Sequence, residues 1–416
     1  MPRRVPLNVL LALLLSAVAL PAVLVRAAEP APPEAVLLGE TRFPAELATV
    51  DASWRVAFRT AGELRTVPAS ELVRWGAPRE LTNQSYLLLV DGSLLAAHVL
   101  ASDETQLKVE SDWIGSVAIP LELIAGVLYH PPVDMPRRDR MLAELRESMI
   151  PSGADSSAAD DEQPRNSDLL ILENGDRLAG TITGIDETKA ALETPTGPVS
   201  VEMERIVAIR FNPSLLSNIR PRGFHCLVGL SDGSLLTASE LIASEGEIRL
   251  SLSCTVELKT EPGAICFLQP IGGGAVYLSD QTSESYRHVP YLTLAWPYAV
   301  DRSVSGSRLR AGGRLYVKGL GMHSAARLTY PLDKPYRRFE TELAVDDETA
   351  GRGSVVFRIF VDNREAYRSP VIRGRMPPLP VAVDLREGKR LSLIVDFAER
   401  GDELDHADWL DARLVK

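Results

Sequence analysis

Three short stretches near the carboxyl end hold the side chains best suited to chemistry: Gly319-Leu320-Gly321-Met322-His323-Ser324, Asp346-Asp347-Glu348 and Asp405-His406-Ala407-Asp408-Trp409. They supply carboxylates, imidazoles and an indole. A sugar needs that mixture, because its hydroxyls demand fixed donors and acceptors while its apolar C–H face stacks on an aromatic ring. The candidate binding residues are therefore His323, Asp346, Asp347, Asp405, His406 and Trp409. Each has a plainer alternative. Trp409 is either a stacking platform or a core residue beside a terminal strand. His323 follows a Gly-x-Gly turn that lets backbone approach closely, which suits a site, or it is a capped or core histidine. The aspartates either hold calcium through oxygen ligands or, the favoured reading, accept hydrogen bonds from turn amides.

Strands must position these groups. Phe357, Ile359 and Val361, like Leu391, Leu393 and Val395, alternate as the inward-facing residues of a two-sheet sandwich do. Gly319-Leu320-Gly321 is not a dinucleotide loop, because that fingerprint opens a helix, whereas Ala326 to Tyr330 reads as the next strand.

The same region preserves a longer order of motifs: Tyr277-Leu278-Ser279-Asp280, Asp301-Arg302-Ser303-Val304, Gly319 to Ser324, the acidic loop at Asp346-Asp347, and the ending Asp405 to Asp411. In this order residues 275–416 resemble the NPCM/NEW2 family, the carbohydrate-binding type of module described at the end of family 98 glycoside hydrolases. The resemblance implies a jelly-roll β-sandwich whose rim loops present a glycan or polysaccharide ligand.

Upstream, the chain repeats. Turn glycines Gly39, Gly92, Gly175 and Gly233 are each followed 11 to 12 residues later by a second polar turn at Asp51, Asp103, Asp186 and Ser244. Short alternating strands separate them. The spacing predicts four β repeats over 36–80, 86–132, 169–213 and 224–270, each the size of a small SH3-like or Sm-like barrel that hides its strand edges by closure. Residues 133–168 read as a helix, from Arg138 to Ile150 with Met141, Leu142, Leu145 and Met149 on one face, followed by an acidic linker from Ser152 to Asp168. Gly272-Gly273-Gly274 marks a shorter boundary.

The whole chain of 416 residues, 45% hydrophobic and 24% charged with 29 Pro and 29 Gly, is thus mainly β and long enough for two to four domains rather than one compact unit. Arg3 and Arg4 precede an apolar run from Val9 to Val25, and Val25 and Ala27 satisfy the small-residue rule for cleavage. Residues 1–27 therefore read as a signal peptide, with export to the periplasm, cell surface or medium and no membrane association after cleavage; an uncleaved anchor is the alternative. Val276 to Lys416 holds 22 Lys+Arg against 20 Asp+Glu, which leaves 23 against 36 elsewhere and a net charge of −11. An acidic front half repels phosphate backbones, so nucleic acid is not expected as a partner. Cys226, Cys254 and Cys266 match no zinc spacing; they fill a small β core, or two of them form a disulfide.

No His-Glu-x-x-His, Gly-x-Ser-x-Gly or Walker motif occurs. Once the repeats and module are assigned, no stretch of about 200 residues remains for a catalytic barrel. The expectation is an exported, non-catalytic carbohydrate-binding protein without cofactor or metal, with protein contacts through the front repeats as a secondary expectation. An envelope scaffold that binds no sugar and a glycoside hydrolase of unfamiliar motif are the rival readings.

Overall fold

The computed structural model describes residues 33–147 and 166–416, apart from 245 and 292. The proposed signal peptide and most of the acidic linker lie outside them. In the described residues the chain is β-rich, with one α-helix, and none of its helices is long and apolar enough to cross a membrane.

The front half is built of short antiparallel strands joined by tight turns. Gly39, Gly92, Gly175 and Gly233 all turn with φ between +85° and +91°, the left-handed region open to glycine. The second turns are held by carboxylates: Asp51, Asp103 and Asp186 each accept two backbone N–H groups from residues two to four positions later. In each segment a single 3₁₀ turn precedes the last strand, which returns to pair antiparallel with the first. Ile206–Arg210 thus pairs with Asp168–Leu172, and Ile265–Ile271 with His225–Leu230. The same closing strands also join neighbours: Ile124–Leu128 pairs with Ile206–Arg210, and Leu72–Gly76 pairs with Ile265–Ile271. The four segments are therefore joined through hydrogen-bonded strands, with one apolar cluster running from Ala35 to Leu268 and a second around Tyr86, Leu142 and Leu169. All three cysteines are free; Cys226 and Cys254 are buried in that core, so the disulfide alternative does not hold.

Helix α1 spans Met135–Glu147 in the described residues. It begins three residues earlier than the apolar spacing predicts, because the Asp134 carboxylate caps it by accepting from Arg137 N at 2.9 Å, and Pro136 is tolerated in the first turn. Leu142 and Leu145 are buried as expected, whereas Met149 lies outside the described residues.

From Ala275 onward two antiparallel sheets face each other. One centres on the strand His406–Val415, flanked by Gly319–His323 and Arg338–Val345; the other centres on Arg390–Phe397, flanked by Ala326–Pro331 and Ser354–Val361. Phe357, Ile359, Leu391, Leu393 and Val395 fill the space between, as the alternation predicts.

Residues Pro33–Lys416 form one compact unit, contrary to the expectation of independent domains. The Gly272–Gly274 boundary is no loose linker. A Cβ at Gly273 would come within 2.9 Å of Ser70 Cα, and Gly274 N donates to Ser70 O at 2.9 Å. Beside it, Arg74 of the first repeat, 4% exposed, donates to Asp411 at 2.9 Å and to Glu342 at 3.1 Å across the junction. Gln269 adds a bond to the second Asp411 oxygen at 2.8 Å, and Tyr316 donates to Glu342 at 2.8 Å. Burial opposes the charge on Arg74, but Asp411 and Glu342 outweigh it, so its pKa is raised.

Removing one member of such a buried set strands the others without compensation. Arg74→Met is expected to lower the unfolding free energy by about 3–5 kcal/mol, read by urea denaturation followed with tryptophan fluorescence.

Candidate functional site

Strand pairing brings two of the predicted residues together. His323 ends Gly319–His323, His406 opens His406–Val415, and the two are register partners with ring centroids 6.0 Å apart. Gly321 is required for what lies over them: a Cβ there would fall 2.4 Å from Arg302 O and 2.5 Å from Val304 N. Its absence lets residues 302–304 cross the strand. That crossing carries Ser303 and Ser305 to Glu348, which accepts from their hydroxyls at 2.8 and 2.7 Å.

Glu348 also meets His406 Nδ1 at 2.7 Å. Burial would push its carboxyl up, yet bonds from His406, Ser305 and Ser303 outweigh that and bring it down to about 2. Glu348 is thus a fixed anion that orients the imidazole, leaving the Nε2 edge of His406 for other partners.

Trp296 completes the cluster. Its half-buried indole stacks flat on His323, with centroids 5.0 Å apart and planes 4° apart, and lies 5.9 Å from the His406 ring. Its own backbone is pinned at both ends: Trp296 N donates to His288 Nδ1 at 3.1 Å, and its carbonyl accepts from Tyr286 OH at 2.7 Å. Burial, with the neighbouring His406 and His288, draws the His323 pKa down to about 4.

The predicted aspartates do other work. Asp346 is fully buried and caps the turn of Asp347–Thr349 by accepting from Glu348 N at 2.8 Å, with Arg310 N on its other oxygen at 3.1 Å. Asp347 turns toward the hairpin at Gly312 and Gly313, accepting from their amides at 3.2 and 2.8 Å. Asp405, also fully buried, accepts from Ser354 N at 2.8 Å. These are the turn amides of the favoured reading, and none of the three carboxylates faces a ligand. Among the described residues no group of His, Cys, Asp and Glu is arranged to hold a metal ion.

Trp409 requires the firmest correction. Its ring is 0% exposed, packed edge-on to Phe357 at 4.9 Å and beside Phe339 at 6.4 Å between the sheets. A face shut inside the core cannot carry a sugar, so the platform is not Trp409. The aromatic that stacks beside these histidines is the half-buried Trp296, whose sequence signal was a Trp-Pro pair in a loop just ahead of Asp301-Arg302-Ser303. Glu348, His288 and Ser303 were likewise not singled out.

Beneath the site sits a second carboxylate pair. Asp408 is buried, and burial together with the negative charge of Asp346 raises its pKa well above the ordinary value; Asp346 itself is pushed up to about 6 by burial. Burial beside Asp346 therefore favours the protonated form of Asp408.

Residues 274–415 match the NPCBM/NEW2 domain family, which establishes the class of this stretch as a module of that carbohydrate-binding type. A curated relative, Alpha-1,3-galactosidase B from Akkermansia muciniphila, is 31% identical over 116 residues, 27% of this chain. The matched part spans only 14% of that relative's length. Among solved structures, a CBM51 module from Clostridium perfringens GH95 in complex with methyl-galactose is 28% identical, covering 34% of this chain and 99% of that one at a TM-score of 0.31. CBM51-2 with INT domains of Clostridium perfringens ZmpB, in complex with GlcNAc, is 22% identical, covering 53% and 44% at a TM-score of 0.32.

Two outcomes are expected from the site's electrostatics. Histidine-selective NMR should show the His323 ring neutral down to about pH 4, far below the ordinary value of about 6.5. Asp408→Asn, which keeps a donor for Asp346 without needing a proton, should be as stable as wild type at pH 4 and progressively more stable toward pH 8. The sign follows from the raised pKa: the folded protein must hold a proton that the unfolded chain releases, so wild-type stability from this group falls as pH rises above about 3.9. Urea midpoints at the two pH values measure the difference.

Proposed function

We propose that the protein is an exported, non-catalytic glycan-binding protein whose module grips sugar on the surface formed by Trp296, His323, His406 and Glu348. The single observation that carries this reading is the half-exposed Trp296 indole stacked on His323 beside a Glu348-oriented His406. It sets an apolar ring next to directed polar groups, the pairing that a pyranose requires. The neighbouring carboxylates Asp346, Asp405 and Asp408 are buried, which supports binding without turnover. The galactosidase named among the sequence relatives makes a galactoside the first ligand to try.

Within this reading the sandwich is a jelly roll and the four front segments are small barrels of the Sm-like kind, the return of each last strand to its first being the feature that supports closure. They hold the module out from the exported chain and offer surfaces for protein partners.

Isothermal titration of the full chain with methyl galactoside, after a glycan array has ranked other sugars, tests the site. Trp296→Ala is expected to weaken binding at least tenfold, about 1.4 kcal/mol, with an unchanged unfolding midpoint. Trp409→Ala is expected to cost about 3–5 kcal/mol of stability instead. Glycan binding that survives Trp296→Ala in full, or silence across the array, would defeat the proposal.

A further inference from the structure

A second cluster of polar groups lies where helix α1 meets the module, on the other side of the segment that carries Ser303 and Ser305 to Glu348. A cavity of about 360 Å³ there is lined by Arg146 of the helix, by Arg302, Arg308 and Lys318 of the module, and by residues of the second and fourth repeats. That volume equals roughly a dozen water molecules at about 30 Å³ each.

The carboxylates around it are shared unevenly among the cations. Lys318 is held by Asp280 at 2.5 Å and Asp301 at 2.9 Å. Asp139 is committed to Arg308 N at 3.0 Å and Arg310 Nη1 at 2.7 Å, and Asp91 to the amides of Ser93 and Cys254. The arginines fare worse. Arg302 reaches only Glu147, at 3.2 Å. Arg308 Nη1 stands 3.8 Å from Glu80, whose oxygens already bind Arg310 and Arg138, and it makes no hydrogen bond. Arg146 has neither a hydrogen bond nor an ion pair to any described residue, and its Nε is buried without a partner. Burial and the like charges of Arg308 and Arg302 draw its pKa down to about 10.

Arg146 Nε and Arg308 Nη1 are thus buried without a hydrogen-bonded acceptor among the described residues, and both side chains line the cavity beside Arg302. We propose that this cavity binds a tetrahedral oxyanion, a sulfate or phosphate group, between Arg146, Arg308 and Arg302. The planar forks of arginine match two oxygens at a time of such a group, and its double negative charge answers more than one guanidinium. The elements that present the three groups are fixed: Arg308 through its backbone bond to Asp139, and Arg302 through Glu147 of the same helix that carries Arg146. The cavity has room for the group as a free ion or as an ester on a sugar.

The test uses the full chain. Thermal unfolding is followed while sodium sulfate is raised to about 20 mM, with sodium chloride at equal ionic strength as reference, so that general salt effects cancel. A saturable rise of the midpoint with sulfate over chloride is expected. In Arg146→Gln and Arg308→Gln, which remove a repelling charge and so should fold, titration calorimetry should show sulfate affinity reduced at least tenfold. Galactose 6-sulfate then separates the sources: binding of the ester that is tighter than free sulfate and survives Trp296→Ala points to an ester, and equal affinity points to the free ion. Superimposed sulfate and chloride curves would overturn the proposal, as would a sulfate response undiminished in both arginine variants.

Discussion

The ion pairs of Arg74 with Asp411 and Glu342 are the constraint on which the rest of the molecule depends. A charge that is 4% exposed is tolerable only when its partners are already in place, and those partners belong to a part of the chain more than 260 residues further on. The set therefore adds less to stability than to uniqueness: a module docked a few ångströms out of register would leave three buried charges unpaired. Glu342 is shared further with Arg42 and Tyr316, and Asp411 with Gln269, so both strands that run across the centre of the module's inner sheet are tied to the first and fourth repeats.

The same logic reaches the proposed sugar surface through hydrogen bonds rather than contacts of bulk. Asp139 on helix α1 binds Arg310; Arg310 N binds Asp346; Asp346 caps the turn that holds Glu348; Glu348 orients His406. Every step is a directional hydrogen bond. A recognition side chain is thus located by the front half of the protein as well as by its own sandwich, a dependence that the division into repeats and module conceals.

Much of this was legible in sequence because it is local. Turn glycines at Gly39, Gly92, Gly175 and Gly233 announce themselves by spacing, and Phe357, Ile359 and Leu393 by alternation, since both follow from backbone geometry within a few residues. The helix start was displaced only because a cap acts through one side chain, Asp134, which the apolar period ignores. The junction was invisible: nothing near Arg74 indicates that its partners lie at Glu342 and Asp411. Trp296 and Trp409 were exchanged for a related reason. An indole in a loop and an indole in a strand differ by burial, a tertiary quantity, and Trp409 carried the more conspicuous motif around it.

The fate of the acidic residues explains why that motif misled. Asp346, Asp347 and Glu348 are neighbours, yet one is fully buried as a cap, one binds the amides of Gly312 and Gly313, and only Glu348 reaches the surface cluster. Asp408, lower still, has its pKa raised well above the ordinary value by burial and by Asp346. The result is a surface with a fixed Glu348 carboxylate, a neutral His323 and an indole, above a layer whose acids are buried. An uncharged polyol gains little from strong local fields and much from rigid, directed donors and acceptors. Placing most of the negative charge one layer down, where it stiffens turns instead of facing solvent, suits such a ligand better than a cluster of exposed carboxylates would.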